Sequence, residues 1–234
     1  MNKSDTANSS TNKGIKPLFT HDAPDSAGAA FGVFFSHPSA LILSFLVVTF
    51  SALRVSAGNF NPWELISPLV IVGLWPFLEW IIHVHILHYK PVRLFGRKWD
   101  FKLPQTHRDH HKEPWDVPQI FIPLHVFPLV SPLLLLPYLV FPPAIVHGVL
   151  AFFFLMALHY EWCHYLAHIK WCPPGSYYRR RVQEHRWHHF HNENQWWGVS
   201  MGLGDRVFRT NPDPKSAGRT GTAYDISGKS NTES

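Results

Sequence analysis

The sequence predicts an all-α integral membrane protein, with four transmembrane helices capped by a cytoplasmic, histidine-rich helical region. Three observations carry that prediction: long apolar blocks, basic residues gathered at the ends of those blocks, and ten of 17 histidines in four short clusters. The longest block, residues 117–160, holds 44 residues without Lys, Arg, Asp or Glu. A crossing helix needs about 20 apolar residues, so this run has room for two. Pro142-Pro143 marks the turn between them, because paired prolines punctuate a helical pattern.

Taken in order, residues 1–30 form a polar N-terminal tail that is expected to be flexible and lacks a signal-peptide pattern. The first expected crossing covers 31–53, interrupted by Pro38. The second covers 65–83, with Pro68 and Pro76 inside it, and runs on through Glu79-Trp80-Ile81-Ile82-His83. The third and fourth cover 120–141 and 144–164. Residues 31–210 form the membrane-embedded domain, and 211–234, rich in Gly, Ser, Thr, Asn and Asp, read as a second flexible tail.

Four crossings return the chain to its starting side. Both termini, the loop 89–116 and the end of the fourth helix then share one face. Lys90, Arg93, Arg97, Lys98, Lys102, Arg108 and Lys112 lie there, followed by Arg179, Arg180 and Arg181. The positive-inside rule makes that face cytoplasmic. The net charge of +5 therefore has a topological reading. No soluble fold accompanies it, so nucleic acid is excluded as a partner. Cys163 and Cys172 both lie near a histidine cluster on the reducing side. Neither a structural disulfide nor a thiolate metal site is expected from them.

The four clusters read His83-x4-His88, His107-x2-His110-His111, His164-x3-His168 and His185-x2-His188-His189. Residues three and four apart share a helix face, so the last three clusters can each converge. His83 and His88 differ, because five residues turn about 140° around an ideal helix. They can share a metal only if the helix ends, bulges or turns there, and a π-type bulge is one route. His85, three residues before His88, competes for that role. Imidazoles suit iron, copper, nickel and zinc, whereas calcium and magnesium want oxygen. Ten exceed one tetrahedral site and suit two ions with five or so each. Iron activates dioxygen and two zinc ions would point to hydrolysis; spacing does not distinguish them.

Acidic groups near membrane depth need partners. Glu79 and Glu161, and Asp205 after the last cluster, are therefore candidates to support the ligand imidazoles from behind. His21, His37, His125 and His147 read as packing or solvated residues, and His159 and His191 at most line the site.

These boxes, together with the four-helix layout, resemble the fatty acid hydroxylase and sterol desaturase superfamily of membrane di-metal enzymes, over residues 79–210. Within it, the fatty acid 2-hydroxylases are most similar. Glu79-Trp80-x-x-His83-x4-His88 resembles their first box, and His107-x-x-His110-His111-Lys112-x-Pro114-x-Asp116 their second. Tyr160-Glu161-x-x-His164-x3-His168 resembles the third, with Glu161 where aspartate is usual. Gly175-Ser176-Tyr177 followed by His185-x-x-His188-His189 resembles the fourth and its approach. The chain departs at Val84-His85, at Gly204 where tryptophan is typical, and at His191-Asn192-Glu193-Asn194. The 30 or so residues before the first helix are too few for the haem domain that some relatives carry.

The resemblance implies that the ten clustered histidines hold two iron ions in a catalytic region, with zinc as a substitute metal and no catalytic residue beyond the ligands. Dioxygen is the implied co-substrate, and a membrane lipid acyl chain, hydroxylated at carbon 2, the substrate. A separate electron donor such as cytochrome b5, ferredoxin or a reductase is implied too. The competing outcomes within the superfamily are desaturation and sterol or carotenoid oxidation. A metal carrier or sensor is a different class; carriers need a polar path through the bilayer, and the central portions of the helices offer few polar groups. The expected location is a bacterial inner membrane, or the endoplasmic reticulum in a eukaryote.

Overall fold

A computed structural model of the chain describes residues 22–220. Of the two expected tails, residues 1–21 and 221–234 lie outside the described residues. The adjoining Pro24 accepts from the backbone N–H groups of Lys170 and Trp171, each at 3.0 Å.

Helix α1 (Ala27–Phe34) starts at Ser26, whose hydroxyl accepts from the Ala29 N–H, satisfying one of the donors that a helix start leaves free. Helix α2 (Pro38–Ser56) follows at once, with the His37 ring accepting from the Ser39 N–H at 3.3 Å and proline at its first position. Asn61 and Glu64 then form a reciprocal capping box around a 3-10 turn, Pro62–Leu65. It opens α3 (Ile66–Ile81), which continues through a π-helical turn at Ile82–Leu87. A short hairpin, β1 (Val92–Leu94) and β2 (Arg97–Trp99), leads into α4 (Lys102–Lys112). After α5 (Val117–Ile120) and α6 (Val126–Leu135) come α7 (Pro143–Ala167), α8 (Ser176–Phe190) and α9 (Leu203–Val207).

Among the described residues three helices, not the expected four, are long and apolar enough to cross a membrane: Pro38–Ser56, Pro62–Leu87 and Pro143–Ala167. The segment expected to make the third crossing yields only a shorter apolar helix, Val126–Leu139, whose last turn is 3-10. Its 14 residues rise about 21 Å, against a hydrocarbon core of about 30 Å. Pro118, Pro123, Pro128, Pro132 and Pro137 give the reason. Each lacks an N–H and disfavours the helical conformation in the residue before it.

Helices α2 and α7 run antiparallel. Ser39 at the start of α2 donates to Glu161 near the end of α7 at 2.6 Å, while Arg54 in the last turn of α2 lies against Gly148 in the first turns of α7. Ile122 is tied to the same Glu161, so residues 123–142 carry the chain back to the far end. The ends of α3 and α7 and the start of α2 therefore gather at one end of the bundle. One buried cluster fills it, around Phe34, Ile120, Tyr165 and Ile169. A second joins Leu43, Val146, Leu150 and Phe154 along α2 and α7. Elsewhere the long helices turn large apolar side chains outward, among them Phe45, Val48, Leu69 and Leu74. Such a continuous exposed apolar surface is what lipid covers. The protein is integral to a membrane.

Candidate metal centre

The π-helical turn settles the odd spacing of the first cluster. His88 donates its backbone N–H to the His83 carbonyl at 3.0 Å, five residues back, and the two rings come within 5.0 Å. One extra residue in the turn brings onto one face what an ideal helix would separate. His85 is exposed, beside the Trp80 ring. The ends of α3 and α7 supply His83, His88, His164 and His168; α4 and α8 lay the remaining six across them.

Ligand atoms of ten histidines collect into two groups, each within 4.8 Å: His83, His88, His107, His111 and His188, then His110, His164, His168, His185 and His189. Helix geometry explains the sorting. His107 and His111 lie four apart on one face of α4, while His110, about 100° from His111, turns to the other group. On α8 the arrangement is exchanged, with His185 and His189 in the second group and His188 in the first.

Within the groups the Nε2 atoms point at one another. His83 and His107 are 3.2 Å apart, His88 and His188 3.2 Å, His110 and His164 3.1 Å, and His185 and His189 3.0 Å. The Nδ1 sides face outward: His83 donates to the Trp197 carbonyl at 2.6 Å and His188 to the Gln195 carbonyl at 2.8 Å. That bond holds the proton on Nδ1 and leaves the Nε2 lone pair facing inward, as a ligand needs. The buried His168 Nε2 has no hydrogen-bond partner. Burial, reinforced by neighbouring imidazoles, pushes His88, His107, His110, His111, His168, His185, His188 and His189 well below the usual imidazole range. Neutral imidazoles converging in two sets of five fit a pair of borderline metal ions.

The three acids hold the backbone around this cage. Asp205 accepts from the Trp197 and Gly198 N–H groups at 2.9 and 2.7 Å and from the Thr210 hydroxyl at 2.6 Å. It thereby positions the carbonyl that meets His83, although burial raises its own carboxyl above the usual range. Glu79 accepts from Trp75 Nε1 at 2.8 Å, from the Ser200 hydroxyl and from the Met201 N–H at 3.1 Å, tying the same loop to α3. Glu161 takes Ser39 and the Ile122 N–H, as above. Gly204 stands where a Cβ would collide with the Pro76 carbonyl oxygen. The close approach of α9 to α3 explains glycine at that position.

Sequence reasoning counted Arg108 and Arg181 only as cations of the cytoplasmic face and passed over Glu184, yet all three are buried. Arg108 grips Asp100 and the Tyr89 carbonyl, and Arg181 pairs with Glu184 beneath the loop. Their only signal was charge inside histidine-bearing helices. Outside both groups, His159 meets the Tyr177 hydroxyl at 2.7 Å and His191 meets the Ala217 carbonyl at 3.0 Å. His37 caps α2, and His21 lies outside the described residues.

Beside the cage opens an apolar cavity of about 450 Å³. Trp75, Phe127, Leu134, Phe153 and Ala157 line its body, and His107 and His164 reach it from the two groups. Phe153 and His164, both in its lining, stand eleven positions apart on α7, about 16 Å. A cavity of this size, apolar with a few polar groups at one end, suits a small apolar ligand.

A family model described as fatty acid hydroxylase matches residues 68–210. The dihydroceramide fatty acyl 2-hydroxylase FAH2 of Arabidopsis thaliana is 27% identical over 177 residues, 74% of this chain and 73% of that protein. The fatty acid 2-hydroxylase of Homo sapiens is 29% identical over 154 residues, 64% of this chain and 41% of that protein, so the chain spans less than half of the human relative. A solved structure described as full-length scs7p, with only the hydroxylase domain visible, superposes with a TM-score of 0.64 at 21% identity, covering 78% of this chain and 68% of that one. That likeness concerns the fold.

Proposed function

The chain belongs to the fatty acid hydroxylase family, and on that premise we propose that it hydroxylates a lipid acyl chain at carbon 2, using dioxygen and two iron ions. The carrying observation is that one apolar cavity reaches both five-histidine groups, through His107 and His164. An acyl chain laid in it would end against the metals. The names of the Arabidopsis and human relatives, both 2-hydroxylases, support that carbon as the target.

His83, His88, His107, His111 and His188 would hold one ion, and His110, His164, His168, His185 and His189 the other. Bound iron would supply dioxygen activation and hydrogen removal from a methylene, chemistry that no side chain here performs. The residues of the chain do the rest. The Trp197 and Gln195 carbonyls fix His83 and His188 as neutral ligands. The cavity walls exclude water and select which carbon lies at the cage. Glu79, Glu161 and Asp205 keep the surrounding backbone in register. Electrons come from a separate carrier such as cytochrome b5, ferredoxin or a reductase. The basic residues around the cage support a cytoplasmic side for it, at a bacterial inner membrane or at the endoplasmic reticulum in a eukaryote.

The test is lipid mass spectrometry of cells with and without the protein, grown under isotopically labelled dioxygen. Label in a 2-hydroxy acyl lipid is the expected result. Loss of two hydrogens without label would make the protein a desaturase and sink the proposal.

A further inference from the structure

The hairpin between α3 and α4 supplies no histidine to the cage. All six of its strand residues are exposed. Its pairing puts Val92 opposite Trp99 and Leu94 opposite Arg97 on one face, and Arg93 opposite Lys98 on the other. The first face is thus largely apolar and open, with Val92, Leu94 and Trp99 each more than 40% exposed. At the tip, Phe95 is 91% exposed and takes φ +51° beside Gly96 at +72°. Two left-handed residues make the tight hairpin turn, but an aromatic residue rarely occupies the first of them. The turn itself would favour asparagine or aspartate, so phenylalanine there needs another reason. The facing Arg93 and Lys98 are a second irregularity, since like charges directly across a strand pair repel. Lys98 has partial relief from Asp100 at 3.7 Å.

A lone two-stranded hairpin is marginal in water. Its open apolar face calls for a cover. Two features say what. The hairpin begins five residues after Leu87, where a spanning helix ends whose last turns leave Ile81 and Ile86 exposed. Its polar face carries only cations apart from Asp100 at its foot. Apolar and aromatic side chains mixed with Lys and Arg at the end of a spanning segment match the headgroup zone of an anionic leaflet.

We propose that this hairpin is an interfacial anchor, with Phe95 and the Val92–Leu94–Trp99 face set among headgroups and Arg93, Arg97 and Lys98 beside lipid phosphates. The anchor reaches the cage through Arg108. That buried guanidinium bonds both ends of the hairpin, the Tyr89 carbonyl at 3.0 Å and the Asp100 carboxylate, and stands next to His107 on α4. Helix α4 also supplies Leu103 and Thr106 to the cavity wall. Seating the hairpin in the leaflet would therefore hold three of the ten histidines and one cavity wall at a fixed depth. The proposal depends on the membrane spans, and holds whichever reaction the cage performs.

The experiment places a nitroxide on Phe95→Cys in the full chain, carrying Cys172→Ser so that the buried Cys163 is the only other thiol. A label on Lys215→Cys serves as the water-exposed control. In discs of phosphatidylcholine with phosphatidylglycerol, residue 95 should be severalfold more accessible to oxygen, relative to a soluble nickel chelate, than residue 215. Adding Arg93→Glu and Lys98→Glu should lower that ratio in the anionic discs and leave it unchanged in discs of phosphatidylcholine alone. A melting curve checks that the variants fold. Equal ratios at 95 and 215 in both lipids would overturn the proposal and leave the face to a soluble acidic protein.

Discussion

His111 and His189 stack at 4.0 Å with their planes 21° apart, although each stands in a different five-histidine group. The groups are therefore neighbours sharing a wall, and the cage is laid out for a metal pair. Each of α4 and α8 serves both sides of that wall, which is why both carry adjacent histidines.

That sharing makes His188 and His110 informative, since each helix lends one of them to the other's group. Changing either to alanine should remove hydroxylation by more than the roughly 10–100-fold that loss of an outer partner costs. Membrane insertion should be unaffected. Activity by lipid mass spectrometry and metal content by elemental analysis check this; full activity with unchanged metal would take both residues out of the ligand set.

The first cluster offers an internal control. His85→Ala should leave activity within about twofold, because an exposed surface change seldom matters, whereas His88→Ala should abolish it. The opposite ranking in the same assay would reassign the first box.

Asp205 should act through the backbone it holds. Asp205→Ala strands two buried N–H donors, at about 1–3 kcal/mol each, and frees the carbonyl that orients His83. Activity should fall about 10–100-fold, with Asp205→Asn recovering part of it because one acceptor oxygen survives. If alanine and asparagine behave alike in activity and in chemical denaturation, the positioning role fails.

The metal-free protein should lose stability as pH drops. Buried His110, His111, His185 and His189 bind protons well below the ordinary imidazole value, so between the two values the unfolded chain holds more protons than the folded one. Stability from these groups is complete above about pH 6.5 and declines below it. Denaturation midpoints in detergent at pH 7.5 and pH 5.5 test the sign, and equal midpoints would refute it.

Ala157 lies on α7 between His164 and Phe153, part-way along the cavity. Ala157→Phe should exclude the longest acyl chains and raise the preference for shorter ones by roughly tenfold or more. Competition between chain lengths in one reaction measures it. An unchanged preference would move the acyl chain out of this cavity.

Much of this protein was written in local pattern. Apolar runs longer than a bilayer needs, cations at their ends, and imidazoles three and four apart follow from hydropathy and helical pitch, so the membrane class and the histidine boxes were legible. The third apolar run was legible only as apolar. Its five prolines were visible, but how far they shorten the helix depends on what the freed backbone groups find nearby, and Ile122 finds Glu161 on α7. The π-helical turn was one of several routes for His83 and His88, and the fold selected it. Which metal group each histidine joins, and that Gln195 and Trp197 supply carbonyls behind two of them, appeared only in three dimensions. Spacing along one helix is a local property, whereas the facing of two helices is set by contacts between residues more than a hundred positions apart, such as Glu79 with Ser200.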